Sequence, residues 1–256
     1  MLTEKFIGSL VVAACLMALA VNAAVVGDWK MKEGTGSDVH DSSGNGYTFS
    51  PVGSGTGTGY SWTSVSGGLT AANPNDSFLT ATVADNLFQY QVAVEAWIKP
   101  TAVDTEGTKI VSLLDGFALE IVNATQMRFI TFNSYNFYGV YADTPTLING
   151  SFHHVLGVFD GMRDSSGKIN LSLYFDGVLA NHASIAVASD TKVGWQATGL
   201  TGTALYIGQN AWFGPSMTTQ NYMGDISGLN ITNVPEPVTI SLLALGGLAL
   251  LRRRNA

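Results

Sequence analysis

Residues 91–98, Gln91-Val92-Ala93-Val94-Glu95-Ala96-Trp97-Ile98, place an apolar side chain at every second position. That two-residue period predicts a half-buried strand, with Lys99-Pro100 as its stop. Residues 127–132, 152–159, 169–175 and 204–207 read the same way. Asp176-Gly177 separates two such runs and predicts a tight hairpin. No stretch carries three turns of amphipathic helix. Many short strands without crossover helices predict an all-β chain, an antiparallel two-sheet β-sandwich of the jelly-roll kind. Trp29 and Trp97 are assigned to its core. The Gly-rich run at 51–60 is a loop within one domain, because the piece before it is too small to fold alone.

The two ends break this pattern. Residues 1–23 have a basic start at Lys5 and an apolar stretch over 6–20. Val21-Asn22-Ala23 then forms a small-residue site, so signal peptidase is expected to cut between Ala23 and Ala24. Near the other end Pro235-Glu236-Pro237 precedes an apolar run at 238–251 and Arg252-Arg253-Arg254. As a helix that run rises about 1.5 Å per residue, or roughly 21 Å, short of a ~30 Å hydrocarbon core. The arginines hold its end on the cytoplasmic side. A short transmembrane segment of this kind suits a transient anchor awaiting processing.

Composition narrows the function. Of 256 residues only 12% are charged and 29 are glycine, and the net charge is −7. The acidic balance argues against nucleic acid, while it tolerates neutral sugars and cations as partners. The single cysteine, Cys15, lies in the signal, so the processed domain has no disulfide.

Two resemblances follow from these residues. Pro235-Glu236-Pro237, the apolar run and the arginine cluster resemble the PEP-CTERM sorting signal of Gram-negative bacteria. That likeness implies processing by exosortase and an association with exopolysaccharide or biofilm. Asp28-Trp29, Glu33-Gly34-Thr35-Gly36 and Asp41-Ser42-Ser43-Gly44-Asn45-Gly46 resemble the opening of LamG-like domains of the concanavalin A-like superfamily. Val94-Glu95-Ala96-Trp97-Ile98-Lys99-Pro100, Phe152-His153-His154-Val155, Leu173-Tyr174-Phe175-Asp176-Gly177 and Leu205-Tyr206-Ile207-Gly208 follow in that family's order. Gly224-Asp225-Ile226 departs from it, since Ser227-Gly228 stands where the family carries Asp-Glu. The organisation implied is a signal at 1–23, a LamG-like β-sandwich at 24–233 and a sorting tail at 234–256, with a terminal apolar helix in the unprocessed precursor.

The chemistry-bearing residues point to binding rather than catalysis. Glycan cleavage needs two facing carboxylates, which on one strand means acidic residues at alternate positions. No segment has that spacing: Glu95 stands alone, and Asp115 and Glu120 are five apart. His153 and His154, as neighbours on a strand, point to opposite faces and do not share a metal. No cofactor is required. A structural calcium at Asp41 and Asn45 competes with a plain turn, because the same oxygen-rich residues serve both. Tyr135, Asn136, Tyr138, Tyr141 and Trp212 are the candidate sugar-stacking and hydrogen-bonding residues, with core packing the alternative for about half of them. The resulting expectation is an exported surface or matrix protein that binds polysaccharide without catalysis. A polysaccharide-degrading enzyme of the same fold, or a structural matrix protein, are the alternatives.

Overall fold

The strand pattern is realised as fifteen strands in a computed structural model. It describes residues 24–36, 38–52, 60–62, 69–71, 78–83, 89–104, 107–133, 136–194, 203–209 and 222–233. In chain order these are β1 (Ala24–Trp29), β2 (Ser50–Val52), β3 (Tyr60–Trp62), β4 (Leu69–Ala71), β5 (Phe78–Val83) and β6 (Gln91–Ala102). Next come β7 (Thr108–Leu113), β8 (Phe117–Asn123), β9 (Gln126–Asn133), β10 (Asn136–Asp143) and β11 (His153–Asp160). The last four are β12 (Lys168–Phe175), β13 (Val178–Ala186), β14 (Thr203–Ile207) and β15 (Met223–Asn233). One sheet has the order β13-β12-β11-β6-β15-β4-β3, with β1 added beside β15. The other has the order β10-β9-β8-β7-β14-β5-β2. The chain is an all-β antiparallel sandwich, as the alternation predicts. The signal at 1–23, the tail at 234–256 with its apolar run at 238–251, Tyr135 and Trp212 lie outside the described residues.

Alternation decides what is inside. Val92, Val94, Ala96 and Ile98 of β6 are buried with Val155 and Phe159 of β11 and Leu229 and Ile231 of β15. Leu119 and Ile121 of β8, Phe129 of β9 and Leu205 of β14 meet them from the facing sheet. Phe129 is fully buried, a contribution of about 1.5–3 kcal/mol from its apolar surface alone. Its ring has room because β11 carries Gly157 there; a Cβ at that position would lie 2.4 Å from the ring.

The opening motif packs as a unit against this core. Trp29 is fully buried, its ring 4.8 Å from that of Phe49 and its Nε1–H donating to the Tyr47 carbonyl. Asp176 and Gly177 both take positive φ, 48° and 79°. A type I′ turn requires this, and it joins β12 to β13 with Phe175 opposite Val178.

Two expectations are corrected. Trp97 is not core: it is 46% exposed, because the period that buries Val94, Ala96 and Ile98 turns Glu95, Trp97 and Lys99 outward. Nor does Lys99-Pro100 stop the strand, since β6 runs on to Ala102. Beside it β11 begins opposite Ile98, so β6 is an edge on that side when the proline arrives, where a missing N–H is tolerated.

Candidate functional site

A shallow cleft of about 260 Å³ opens on the outward face of the larger sheet, beside Asp28, Lys30, Glu95, Trp97, Gly228 and Asn230. The register explains why it is there. Asn230 of β15 stands opposite Glu95, and Gly228 stands opposite Trp97. Between Ile226 and Gly228 the ladder shifts, with Ser227 as the extra residue of a β-bulge. The bulge brings a residue without a side chain against the indole, leaving one side of it open.

On the other flank, β11 pairs His154 with Trp97 and Leu156 with Glu95. His154 and Glu95 are therefore diagonal neighbours on one face, within reach of long side chains. Nε2 of His154 lies 2.6 Å from Oε1 of Glu95, and its ring centroid is 5.0 Å from that of Trp97. The hydrogen bond from His154 lowers the Glu95 pKa below its ordinary 4.5. Burial opposes this, and the charges of His154 and Lys30 reinforce it. Lys30 also pairs with Asp28 at 2.7 Å. The cleft thus offers an aromatic face, a fixed carboxylate, an amide and an ammonium. Those groups suit a polyhydroxylated ligand whose C–H face stacks while its hydroxyls are hydrogen-bonded.

The two histidines separate as their adjacency requires. His153 is buried, Nδ1 lying 2.9 Å from Oδ2 of Asp176, its ring stacked on Phe175 at 4.8 Å. The other Asp176 oxygen accepts the His154 N–H. Asp176 is thus both the hairpin turn residue and the clasp on β11, a double role no spacing in the sequence announces. Asp225, in the segment that departs from the family pattern, stands opposite Lys99 and is ion-paired with it.

The hairpin of β9 and β10 divides the remaining candidates. Asn136 opens β10 and is exposed. Tyr138, named above as a stacking residue, instead packs partly buried against the core, since it alternates with outward neighbours. Tyr141 points out, 42% exposed, its hydroxyl accepting from Nη1 of Arg128 at 2.8 Å. Arg128 also pairs with Glu120, whose second oxygen holds Lys109. Glu120 and Lys109 are almost completely buried. Burial pushes the Lys109 pKa down despite Glu120, whereas at Arg128 burial is outweighed by the hydrogen bonds and charges of Glu120 and Tyr141 together, which raise it. Asp115 lies in the turn before β8 at φ 56°, away from any strand face shared with Glu120.

Asp41 fastens the opening loop. Its oxygens accept from the backbone N–H of Asp28, Ser43 and Tyr47 and from the Ser43 hydroxyl. Burial raises its pKa, but these bonds together outweigh it and hold the carboxyl below the ordinary 3.8. Asn45 donates its amide hydrogens to the Val26 carbonyl and to Ser43 Oγ. Among the described residues no three His, Cys, Asp or Glu side chains gather as metal ligands.

Residues 73–235, more than half of the chain, match the family Laminin_G_3, described as the concanavalin A-like lectin/glucanases superfamily. No curated protein matches the chain. Among solved structures, the botulinum neurotoxin serotype C1 binding domain is 13% identical with a TM-score of 0.59, covering 87% of this chain and 52% of its own. Domain 4 of the extracellular GH43 arabinanase AbnA from Geobacillus stearothermophilus, in complex with arabinotriose, is 18% identical with a TM-score of 0.54. It covers 87% of this chain and 98% of its own length. The sialidase of Trypanosoma rangeli is 14% identical with a TM-score of 0.52, covering 83% of this chain and 31% of its own. At these identities the likeness is one of fold.

Proposed function

Because the chain belongs to the concanavalin A-like lectin/glucanases superfamily, we propose that it is an exported protein whose sandwich binds carbohydrate without catalysis. The observation that carries this reading is the half-exposed Trp97 in a cleft with Glu95 and Asn230. A half-exposed indole beside hydrogen-bonding side chains presents an apolar face with polar groups at its edge. That arrangement supports ligand stacking on the indole. The arabinanase domain, bound to arabinotriose on the same fold, supports the ligand class. The ends support the address. Signal peptidase releases the domain after Ala23, and exosortase acts at the Pro235-Glu236-Pro237 tail, whose membrane anchoring is transient. The destination is the cell surface or matrix of a Gram-negative bacterium.

Affinity electrophoresis of the purified full chain through arabinan, xylan and mannan gels tests this. The expected result is retardation by at least one polymer, weakened on Trp97→Ala with an unchanged melting temperature. A folded chain that no polymer retards returns the reading to a structural matrix protein.

A second reading rests on Asp28 and Glu95 bordering one cleft, two carboxylates as in a glycosidase. Glu95, held ionised by His154, suits the nucleophile or base and not the acid. Reducing-sugar release by the parent, abolished in Glu95→Gln, would establish that reading in place of the first.

A further inference from the structure

The outward face of the β9–β10 hairpin carries a second arrangement that the cleft does not use. Phe137, Gly139 and Tyr141 occupy successive outward positions of β10, opposite Phe132, Ile130 and Arg128 of β9. Phe137 is 49% exposed and Tyr141 42%. Their Cα atoms lie four residues apart along the strand, roughly 13 Å. Gly139 between them has no side chain and the Phe137 ring leans over it, since a Cβ there would lie 3.3 Å from that ring and 3.2 Å from the buried Ile130.

Both rings are held. Phe132 meets Phe137 edge-on, centroids 5.2 Å apart at 78°. Arg128 binds the Tyr141 hydroxyl and lies 5.4 Å from the ring centroid, and is itself anchored on the buried Glu120. From β13, Asn181 donates its amide N–H to the Tyr141 carbonyl at 2.6 Å. Rings fixed before a ligand arrives lose little conformational freedom on binding. Charge on this face is balanced. Lys109 and Arg128 are offset by Glu120 and by Asp143, which accepts from Gln126 at 3.0 Å.

We infer that this face is a second glycan platform, on which an extended neutral polysaccharide lies along β10, stacked on Phe137 and Tyr141 across Gly139. Two exposed aromatic residues on one line, their Cα atoms roughly 13 Å apart, select a chain of several sugars. The balanced charges select a neutral one. The inference stands whether or not the Trp97 cleft binds sugar, since the two faces belong to different sheets.

The test is calorimetric titration of the full chain with xylan, mannan and arabinan oligosaccharides and with oligogalacturonate. A neutral oligosaccharide is expected to bind the Trp97→Ala variant, and Phe137→Ala or Tyr141→Ala in that background to weaken binding about tenfold. Gly139→Leu, which keeps both aromatic residues but displaces the Phe137 ring that leans over the glycine, is expected to do the same. Raising the salt concentration is expected to change the affinity less than twofold, because no net charge is neutralised. Circular dichroism of each variant confirms that the sandwich is intact. Loss of all binding in Trp97→Ala alone would overturn the platform and leave the cleft reading standing. Binding indifferent to both Phe137→Ala and Tyr141→Ala would overturn it, as would a salt-sensitive preference for oligogalacturonate.

Discussion

Nε2 of His154 reaches Oε1 of Glu95 at 2.6 Å, although the strand ladder sets each opposite a different residue, Trp97 and Leu156. The contact is a diagonal across β6 and β11, on the face away from the core. It holds the carboxylate in one orientation and supports one side of the Trp97 indole, whose ring centroid lies 5.0 Å from the imidazole. A flexible glutamate beside a free indole would have to be ordered by the ligand; here the ordering precedes binding.

The same contact makes stability acid-sensitive. Glu95 has a folded pKa below its ordinary 4.5, chiefly through the His154 hydrogen bond. A carboxyl depressed in the folded state adds stability above the unfolded pKa and loses it as pH falls through the folded one. The parent is expected to exceed Glu95→Gln in urea stability at pH 6 by under about 1 kcal/mol, since the pair is partly exposed. That difference should shrink steadily below pH 4.5. A difference independent of pH in that window would show that the carboxylate charge contributes nothing.

Gly157→Ala tests the fit between the sheets. The added methyl would meet the Phe129 ring at 2.4 Å in a fully packed interior. A loss of about 1–3 kcal/mol is expected from overpacking, read as a lower urea midpoint with an unchanged slope. A variant as stable as the parent would mean that the ring shifts freely.

Glu120→Gln leaves Lys109 and Arg128 without their shared counter-ion in a buried setting. A cost of about 3–5 kcal/mol is expected, the penalty of an uncompensated buried charge. Lys109→Met, which removes one buried cation and keeps the Glu120–Arg128 pair, is expected to cost less. Equal losses for the two would contradict the assignment of Glu120 as the hub.

At Asp41 four protein donors converge on one carboxylate. Donor hydrogens aimed at the oxygens compete with a cation for the same lone pairs. Calcium and chelator are therefore expected to give the same melting temperature. Asp41→Ala should lower stability by about 1–3 kcal/mol through the donors it strands. A calcium-dependent rise of several degrees would assign an ion to the loop.

The strands were legible because burial follows a period of two, and the Asp176-Gly177 turn because only certain residues accept positive φ at both positions. The opening motif was legible as a loop. Its true job, tying Asp41 to the end of β1, depended on hydrogen bonds thirteen residues apart in sequence. Trp97 was misplaced because size was weighed above alternation; its neighbours Val94, Ala96 and Ile98 already assigned the inward face. Tyr138 packs against the core for the same reason, a phase of one residue in β10. The Glu95–His154 contact was not legible at all. It arises from the register between strands 59 residues apart, which no local pattern encodes.

Ser227 gives the sandwich an adjustable part. It is the surplus residue where β15 passes Trp97, and the ladder resumes with Leu229 opposite Ala96 as though it were not there. Exchange of a residue at that point alters the wall of the cleft without shifting the phase of Leu229 and Ile231, which the interior depends on. Ligand preference can therefore drift over generations on this face while the fold beneath it is held constant.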